Sequence, residues 1–507
     1  MMRQGACLPA LFEEQARRTP SAVAVELGRD KLSYRELNAR ANQVAHELRS
    51  RGVGPEFIVG ICLHHSFQML AGLLGILKAG GAYLPLDPTY PRERLAIFLE
   101  DASPRIILVA PDTQGCLPPH SSEVIVLESD WGRLQDGEAS DLDVGLGPGH
   151  LAYVPYTSGS TGRPKGAEIC HGALVNFLGS MRRAPGLEPE DRFLALMPLS
   201  FDISVLELFL PLTVGATVVL GDRSALYDDD RLLSVVRNSR ATVMQGAPYN
   251  WSSLLRADWK GDPGLKMLTG CEAMPPEHAA RLARLGRSLW NLYGLTELAV
   301  WSTVYRYEGR PGPLPIGKPI DHTYVRILDS NHQPVADGDV GELHIGGTGL
   351  GRGYLNSPEL TAAKYIPDPF SPEPGARMFK TGDEARLLPD GNIEFLGRRD
   401  FQIKYRGFRV EPGDIEAALA QHPGVVAGAA ALVKSSDGEA ALTAFVVPRG
   451  AEPIERSLHS FMLQKLPDFM LPEKYVFLPR LPLTPSGKVD RRLLATGSVV
   501  SIPPTAA

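Results

Sequence analysis

Short apolar runs alternate with longer amphipathic segments through the first 300 residues of the chain. The pattern predicts helices over Leu8–Arg17 and Gln68–Ala79, and the ends of Ser33–Glu36 have the spacing of a helix-capping box. Phe57–Leu63 is a short apolar run typical of a buried strand, whereas the prolines of Tyr83–Pro88 predict an extended, turn-rich connection. This alternation predicts layered α/β structure.

The pattern changes at Gly317, beyond which short strands are separated by Gly, Asp and Pro turns. From Ile403–Tyr405 onward, strands and helices alternate over enough residues for an α+β unit of typical domain size. The expected fold class is therefore α/β, with a large N-terminal domain of layered subdomains, a small β-rich subdomain and a C-terminal α+β domain. The predicted bounds are 1–399 for the N-terminal core (with 317–399 the β-rich part), 400–496 for the C-terminal lid domain and 497–507 for a linker-like tail.

The composition is that of an ordinary globular enzyme, with 44% hydrophobic and 22% charged residues among 507. A net charge of −6 argues against a general nucleic-acid binder. The five cysteines are scattered and form no Cys-x-x-Cys pair, which is typical of a reducing compartment and offers no zinc site. Met69–Leu77 is too short to cross a bilayer, and the first five residues lack the apolar core of a signal peptide. We therefore expect a cytoplasmic protein that binds neither membranes nor nucleic acid.

The most informative stretch, residues 156–166, reads YTSGSTGRPKG. Its glycines let the backbone approach a bulky anion, its hydroxyl and main-chain N–H groups can donate to phosphate oxygens, and Arg163 and Lys165 add positive charge. The apolar run Leu151–Val154 predicts a strand leading into this loop. Pro164 replaces the second glycine of the common phosphate-loop spacing, which argues against a kinase-like or GTPase-like protein. A flexible linker is the alternative, but linkers seldom end in Arg-Pro-Lys-Gly beside a strand.

Acidic residues occur in three further segments. Asn291–Glu297 supplies an aromatic ring for a nucleobase, a glycine for close approach and a carboxylate suited to Mg²⁺, but a strand–turn–helix junction has the same pattern. Asp383 either accepts ribose hydroxyls or caps a turn. Asp202 lies in a strongly apolar segment. It either caps a helix or pairs with a cationic ligand group, because aspartate is rarely buried unpaired.

Basic residues are concentrated between Arg398 and Arg409 and again near the C-terminus. Such a run is by itself typical of a solvated face or a weak nucleic-acid patch. Beside a domain boundary, however, Asp400 is well placed to act as a hinge. Lys488 lies in a turn, and a lone surface lysine usually has no function.

In their order along the chain, these segments resemble the adenylation domains of nonribosomal peptide synthetases, within the adenylate-forming superfamily of acyl-CoA synthetases and luciferases. The resemblance covers about residues 10–495 and implies the same α/β fold with a mobile C-terminal domain. It rests on the ordered segments 32–37, 77–83, 156–166, 201–202, 291–297, 341–355, 381–383, 397–416 and 486–491.

The resemblance implies that ATP and Mg²⁺ are the cofactors and that matching residues share the family's roles. The catalytic set would be Lys488, Glu297, Thr157 and Lys165, with Glu297 also binding Mg²⁺. The nucleotide-binding set would be Thr157, Ser158, Gly159, Ser160, Thr161, Gly162, Lys165, Glu272, Ala273, Asn291, Tyr293, Gly294, Thr296, Asp383, Arg398 and Lys488. Within it, Tyr293 would stack on adenine and Asp383 and Arg398 would bind ribose. Asp400 would be the hinge about which the C-terminal domain rotates between adenylation and thiolation.

The resemblance also implies an amino-acid pocket. Asp202 would pair with the α-ammonium group, and Lys488 would bridge the substrate carboxylate and the α-phosphate. The pocket would be lined by Asp202, Ile203, Leu206, Gln245, Leu268, Gly270, Leu292, Val300, Trp301 and Lys488. Because this lining is bulky and apolar, the expected substrate is glycine, with leakage to alanine, since excluding one methyl group provides only about 1–3 kcal/mol. Val300 departs from the isoleucine more usual in glycine-type pockets.

The implied partner is a peptidyl carrier protein whose phosphopantetheine arm accepts the amino acid, with Lys404 near that arm. An MbtH-like protein is a further candidate partner, with 351–370 as its docking region. The alternatives are an aryl- or acyl-acid:CoA ligase and a non-catalytic nucleotide-binding module. Leu295, Cys271 and Ser486 replace residues usual in the family, but no charged catalytic group is lost. No carrier motif follows Arg491, which suggests a stand-alone enzyme or, given the linker-like tail, a piece of a larger synthetase.

Overall fold

The computed structural model describes residues 7–128, 138–159, 163–434, 440–450, 454–484 and 488–497. Over these residues the helices are α1 (Leu8–Arg18), α2 (Tyr34–Ser50), α3 (Phe67–Lys78), α4 (Arg92–Ala102), α5 (His171–Met181), α6 (Ser204–Val214), α7 (Asp229–Ser239), α8 (Pro248–Arg256), α9 (Pro276–Leu282), α10 (Pro358–Lys364), α11 (Pro412–Ala420), α12 (Glu455–Lys465) and α13 (Arg491–Ala495). The first strands are β1 (Val23–Leu27), β2 (Asp30–Ser33), β3 (Ile58–Cys62), β4 (Ala82–Pro85), β5 (Ile106–Val109), β6 (Glu123–Val126), β7 (Leu151–Tyr153), β8 (Tyr156–Thr157), β9 (Lys165–Cys170), β10 (Arg192–Ala195), β11 (Thr217–Leu220), β12 (Val243–Gly246), β13 (Asp262–Gly270) and β14 (Gly286–Tyr293). They are followed by β15 (Thr303–Arg306), β16 (Lys318–Pro319), β17 (Thr323–Leu328), β18 (Gly341–Gly347), β19 (Gly353–Tyr354), β20 (Tyr365–Pro367), β21 (Arg377–Leu387), β22 (Ile393–Arg398), β23 (Ile403–Tyr405), β24 (Phe408–Val410), β25 (Val425–Lys434), β26 (Ala440–Pro448) and β27 (Lys474–Phe477).

Two large sheets form the N-terminal core. In the described part of the chain, the first has nine strands in the order β16-β15-β14-β13-β12-β10-β11-β1-β2. The second has eight, in the order β19-β9-β7-β4-β3-β5-β6 with β8 paired to β9. Strands β10 to β14 run parallel to one another, and such strands are apolar because both faces of the sheet are covered. Their carboxyl ends therefore meet at one edge, where the candidate site lies.

Helices and aromatic side chains join these sheets into one hydrophobic core. Almost all of α3 is buried, and its N-terminus is capped by Ser66. Tyr83 of β4 and Tyr153 of β7 stack with ring centroids 5.2 Å apart. Both residues belong to the same buried cluster as the strands of the nine-stranded sheet. The core therefore extends through both sheets.

The β-rich region has a five-stranded sheet over the residues described, with the order β17-β18-β21-β20 and β22 paired to β21. Register places Asp383 of β21 directly opposite Arg398 of β22. A separate hydrophobic cluster that includes Leu343, Ile345 and Phe379 lies beneath this sheet. The sheet thus presents an acidic and a basic side chain side by side.

The C-terminal region packs β25, β26 and β27 against α11 and α12, around buried residues that begin with Ile403. The β23–β24 hairpin leaves this unit and reaches the N-terminal core. There Phe408 stacks on Phe201 with centroids 5.2 Å apart, and it also stacks on Phe469 at 4.2 Å. One ring of the hairpin therefore contacts aromatic residues of both the core and the C-terminal region.

Several predicted elements are confirmed. Helix α2 begins with the predicted capping box, because the Ser33 hydroxyl accepts from the Glu36 N–H and the Glu36 carboxylate accepts from the Ser33 N–H. The α/β fold class with a smaller C-terminal unit is also confirmed, whereas the division at residue 399 stays a prediction. The prediction for Tyr83–Pro88 is wrong at its start, because β4 is a buried strand between β3 and β7, and its proline comes last.

The described residues include no helix that is both long and apolar enough to span a membrane.

Candidate functional site

The candidate site lies at the carboxyl ends of β12, β13 and β14, the edge where ligands bind in open α/β sheets. A cavity of about 1150 Å³ opens there. Among its lining residues are Glu272, Ala273, Asn291, Leu292, Tyr293, Gly294, Asp383, Arg398 and Lys404. Most of these were predicted to bind the nucleotide. The structure thus brings much of that set to one cavity, from segments separated by more than 100 residues in sequence.

Glu297 is a fully buried carboxylate surrounded by cations. Arg409 Nη1 donates to both of its oxygens at 3.2 Å, the Tyr354 hydroxyl donates at 2.7 Å, and Lys165 Nζ lies 3.9 Å away. Burial acts to raise the pKa of Glu297, but the charges of Arg409 and Lys165 outweigh it and hold the pKa at about 2. The carboxylate is therefore ionised, as a metal ligand must be.

Lys165 lies at the start of β9, beside the predicted phosphate loop. Burial lowers its pKa to about 8, against the favourable charge of Glu297. Its Nζ lies 4.6 Å from the centre of the Tyr354 ring, a cation–π distance. A phosphate group nearby would stabilise the charged form of this lysine.

The described part of the phosphate loop contains unsatisfied hydrogen-bonding capacity. The buried Thr157 hydroxyl has no hydrogen-bond partner among the described residues, and Ser158 Oγ donates to the Arg409 carbonyl at 3.2 Å. A Cβ on Gly159 would lie 2.0 Å from the Arg163 carbonyl oxygen, so the close approach of these two residues needs glycine. Ser160, Thr161 and Gly162 lie outside the described residues.

Asp383 and Arg398, which were predicted to bind ribose, form an ion pair. Arg398 Nη1 donates to Asp383 Oδ1 at 2.6 Å, and the Tyr293 hydroxyl donates to the other oxygen. Burial raises the pKa of Asp383, against the charge of Arg398. The same guanidinium holds the predicted hinge residue Asp400 through bonds of 2.6 and 2.7 Å. Arg398 therefore connects Asp383 to Asp400.

The predicted adenine-side residues have individual partners. Asn291 Nδ2 donates to the Pro315 carbonyl at 2.8 Å, and the Glu272 carboxylate accepts from the Gly407 N–H. Ala273 is exposed at the mouth of the cavity, and Thr296 begins the short turn that carries Glu297. An aromatic ring at Tyr293 and a largely satisfied polar rim are compatible with a nucleobase.

Asp202 is buried just before α6 in an apolar setting. Its Oδ2 has no hydrogen-bond partner in the described parts of the chain. Burial raises the pKa of Asp202 to about 6, partly opposed by the Thr296 hydroxyl and by the more distant charge of Lys404. An unpartnered buried acid is unfavourable, and a cationic ligand group would satisfy it.

The remaining predicted pocket residues are all buried. They are Ile203, Leu206, Gln245, Leu268, Gly270, Leu292, Val300 and Trp301. Trp301 Nε1 donates to Gln245 Oε1 at 2.9 Å. A Cβ on Gly270 would lie 2.6 Å from the Trp301 ring, so the indole packs directly on the glycine backbone. Three of the predicted pocket residues are thereby in contact with one another.

The structure does not bring Lys488 to this site. Lys488 is exposed and precedes Val489, which forms an antiparallel bridge with Leu483. Ser486 and Gly487 lie outside the described residues.

The β23–β24 hairpin occupies the site instead. Its Lys404 lines the cavity, its Gly407 N–H donates to Glu272, and its Arg409 pairs with Glu297. The turn needs the left-handed backbone of Arg406 and Gly407, with φ of 51° and 87°. These contacts cover the face beside the cavity.

Two residues were missed by sequence reasoning. Arg409 was assigned only to a basic run, but it makes the closest ionic contact with Glu297. Tyr354 was not singled out, although its hydroxyl donates to the same carboxylate. For Arg409 the available signal was the alternation along β23 and β24, in which Lys404 and Arg409 pair with each other and alternate with buried apolar residues.

Comparisons with known proteins agree with this geometry. The AMP-binding enzyme family matches residues 12–355, and the AMP-binding enzyme C-terminal domain matches residues 414–488. A dimodular nonribosomal peptide synthase of Bacillus subtilis (strain 168) is 42% identical over 492 residues, which cover 96% of this chain and 21% of that protein. The chain thus spans about a fifth of the length of that relative.

Two solved structures are also similar. A holo four-domain nonribosomal peptide synthetase bound to AMP and glycine gives a TM-score of 0.71 at 34% identity, covering 96% of this chain and 36% of that one. An artificially fused adenylation–PCP di-domain from Klebsiella oxytoca gives a TM-score of 0.83 at 24% identity, covering 94% of both chains, and shows the likeness of fold.

The family match covers more than half of the chain and includes Asp202 and Glu297, while the C-terminal match ends at Lys488. Enzymes of this family use ATP with Mg²⁺, and the carboxylate of Glu297 and the free hydroxyl of Thr157 fit such a ligand. The chain therefore belongs to the AMP-binding enzyme family and is an ATP-dependent, AMP-forming ligase of the type found as adenylation domains in nonribosomal peptide synthetases.

Proposed function

We propose that this chain activates glycine with Mg-ATP, giving glycyl-adenylate and pyrophosphate, and then transfers the glycyl group to the phosphopantetheine thiol of a carrier protein. The observation that carries the proposal is Asp202, a buried carboxylate of which one oxygen has no hydrogen-bond partner among the described residues. Its ligand should be cationic, and the bulky residues predicted to line the pocket favour a short one. An α-amino acid supplies the cation, whereas an aryl or fatty acid would leave the carboxylate unpaired.

The bulk of the residues predicted to line the pocket favours glycine, the smallest amino acid. Trp301 and Leu206 are buried with 2% or less of their surface exposed, and the indole lies against the backbone of Gly270. No charged partner for a polar side chain lies among the predicted pocket residues other than Asp202 and Lys488. The related four-domain synthetase described as bound to AMP and glycine supports the same choice.

The first half-reaction joins two anions, so positive charge has to gather where they meet. A carboxylate oxygen of glycine attacks the α-phosphorus of ATP, and the bond to pyrophosphate breaks. Asp202 holds the ammonium end, Lys165 faces the phosphates, and Mg²⁺ held by Glu297 would supply further positive charge. Lys488 joins them when the C-terminal domain turns about Asp400 and the β23–β24 hairpin leaves.

The second half-reaction uses the arrangement seen in the structure. The thiol sulfur of the carrier arm attacks the acyl carbon of glycyl-adenylate, its proton is lost to solvent, and AMP leaves. Arg409 then takes the place of the metal as the counter-charge of Glu297. Lys404 lies at the cavity wall where it can contact the arriving arm. An MbtH-like partner over residues 351–370 remains part of the proposal.

A pyrophosphate-release assay over the twenty amino acids tests the proposal directly. Glycine should give the highest rate and alanine the next, and Asp202→Ala should abolish both. Asp191→Ala is a matched control, because Asp191 is an equally buried acid at the amino ends of the same strands, paired with Lys266 at 2.7 Å.

Release stimulated by benzoate or fatty acids but not by glycine would establish the CoA-ligase alternative. No release with any acid, with or without an MbtH-like protein, would favour a non-catalytic nucleotide-binding module. Thioester formation on a holo carrier protein then tests the second half-reaction separately.

A further inference from the structure

We propose that Glu207 is a positioning residue that fixes the wall of the amino-acid pocket through Gln245 and Trp301. The inference rests on the proposed function, because it assigns a determinant of side-chain size to the same pocket. Glu207 was not among the predicted pocket residues.

A chain of hydrogen bonds connects Glu207 to the indole. Gln245 Nε2 donates to Glu207 Oε1 at 3.4 Å and to the Ile203 carbonyl at 3.0 Å. Gln245 Oε1 accepts from Trp301 Nε1 at 2.9 Å. Glu207, Gln245 and Trp301 are each no more than 2% exposed. Water cannot replace any of these bonds without opening the core.

The acid determines which way the Gln245 amide faces. Two acceptors, the Glu207 carboxylate and the Ile203 carbonyl, lie on the NH₂ side of the amide. A flipped amide would place its oxygen against both acceptors and its NH₂ group against the indole N–H. The observed orientation is thus the one that presents an acceptor to Trp301.

The Trp301 backbone needs such restraint. Ala299 and Val300, which precede it, have φ of 54° and 80°, in the left-handed region that is unfavourable for a β-branched residue. Gly294 accommodates this bend, since a Cβ there would lie 2.0 Å from the Val300 carbonyl oxygen. A segment bent against its backbone preference keeps its place only while its side chain is held.

Glu207 itself is held in place from the opposite side. The main-chain N–H groups of Leu196 and Met197, just after β10, both donate to its Oε2 at 3.0 Å. Burial raises the pKa of Glu207 to about 8, although these N–H groups and the Gln245 amide oppose that rise. In the described ranges no lysine or arginine forms an ion pair with it. The two main-chain N–H groups hold Oε2, so that Oε1 is left to face the Gln245 amide.

The decisive variant is Glu207→Gln, which keeps size and shape. Its amide oxygen can still accept from Leu196 and Met197, while its NH₂ group faces the NH₂ group of Gln245. Trp301→Phe removes the indole N–H at the other end. The two single variants and the double variant form a double-mutant cycle. The quantity measured in each protein is the ratio of kcat/KM for glycine to kcat/KM for alanine.

We expect each single variant to lower the glycine-to-alanine ratio about tenfold, within the range that one methyl group provides. The double variant should lower it no further, because both changes cut one connection. If the double variant lowers the ratio by the product of the two single effects, the two residues act independently and the proposal is overturned. If Glu207→Gln lowers kcat/KM equally for glycine and alanine, its role is merely structural and the proposal is also overturned.

An NMR readout tests the connection without any substrate. Tryptophan labelled with ¹⁵N gives five indole N–H signals, and the one missing in Trp301→Phe identifies Trp301. In Glu207→Gln this signal should shift and exchange faster with solvent. An unchanged Trp301 signal would contradict the proposal even if activity fell.

The wild-type protein is first assayed with all twenty amino acids. A failure of the glycine proposal can then be told apart from a failure of the Glu207 proposal. If another amino acid is preferred, glycine is refuted, and the ratio is taken between that substrate and its next larger homologue. If Glu207→Gln does not fold, Gln245→Met cuts the same connection and leaves the bonds of Glu207 to Leu196 and Met197 in place. A wild-type ratio and Trp301 signal in Gln245→Met would then overturn the proposal.

Discussion

Replacing Asp202 by asparagine should make the protein more stable and much less active. Asparagine has the same shape and keeps an acceptor for the Thr296 hydroxyl, but it removes the charge that we assign to the substrate ammonium. The empty site holds that charge at a cost, because one oxygen is buried without a partner. Stability and activity should therefore change in opposite directions.

The size of the expected stability change follows from the pKa of Asp202. Burial raises the pKa of Asp202 from 3.8 to about 6, and one pKa unit is about 1.36 kcal/mol. Keeping the carboxylate ionised above pH 6 therefore costs about 3 kcal/mol. Because the folded-state pKa is the higher one, this cost is absent below about pH 4 and complete above about pH 6. Asp202→Asn should gain up to about 3 kcal/mol of unfolding free energy at pH 7.5 and nothing at pH 4.

The loss of activity is set by the ion pair. Removing one partner of a buried pair costs about 3–5 kcal/mol, so kcat/KM for glycine should fall by roughly two to three and a half orders of magnitude. Pyrophosphate exchange gives kcat/KM, and urea unfolding at the two pH values gives the free energy.

Asp191→Asn is the matched control, for which we expect a stability change of the opposite sign. Burial would raise the pKa of Asp191, but its bonds to Lys266 and Thr242 hold it below its usual value, so its substitution should destabilise the fold at pH 7.5. A less stable Asp202→Asn protein that keeps glycine exchange within about threefold of wild type would refute our interpretation of Asp202, since both signs would then be wrong.

Three further predictions concern the same site. Wild-type kcat/KM for glycine should fall about tenfold for each pH unit below 6, because protonation removes the charge of Asp202, and a flat profile down to pH 5 in pyrophosphate exchange would contradict this. Lys488→Ala should slow adenylation at least about a hundredfold but leave transfer from preformed glycyl-adenylate intact, and equal losses in single-turnover assays of the two steps would argue against a lysine used in one orientation only. Arg409→Ala leaves Glu297 without its nearest cation when the β23–β24 hairpin is in place, so thioester formation should fall more than adenylation; the surface variant Arg399→Ala, whose partners lie at 3.3 Å on exposed strands, should change neither step.

Local sequence signals were sufficient where local physics decides the structure. The capping box at Ser33 and the strand predicted over Phe57–Leu63 (β3, Ile58–Cys62) lie where the sequence predicts them, because their hydrogen bonds and burial follow from spacing alone. The strand at Tyr83 was missed because two prolines close by suggested a turn. A proline is tolerated at the last position of a strand, and burial between β3 and β7 outweighed the local signal.

The site was predictable as a set of residues but not as one arrangement. Asp383, Arg398 and Tyr293 are distant in sequence, and only the register of β21 against β22 brings the first two together. Arg409 looks like any exposed cation in the sequence, because its burial depends on where a whole domain rests. The position of Lys488 depends on the same choice. Glu207 carries no motif of its own, since its partners are two main-chain groups and one amide.

Arg398 contacts both the residue that we assign to ribose binding and the residue that we assign to the hinge. One edge of its guanidinium holds Asp383 and the other holds Asp400, with all three bonds between 2.6 and 2.7 Å. A nucleotide that binds Asp383 would compete with Arg398 and would therefore also change the charge around Asp400. If Asp383 binds ribose and Asp400 is the hinge, as we propose, both depend on one guanidinium group, and directed evolution toward a different nucleotide should also change the rate of the thioester step, even with every carrier contact left untouched.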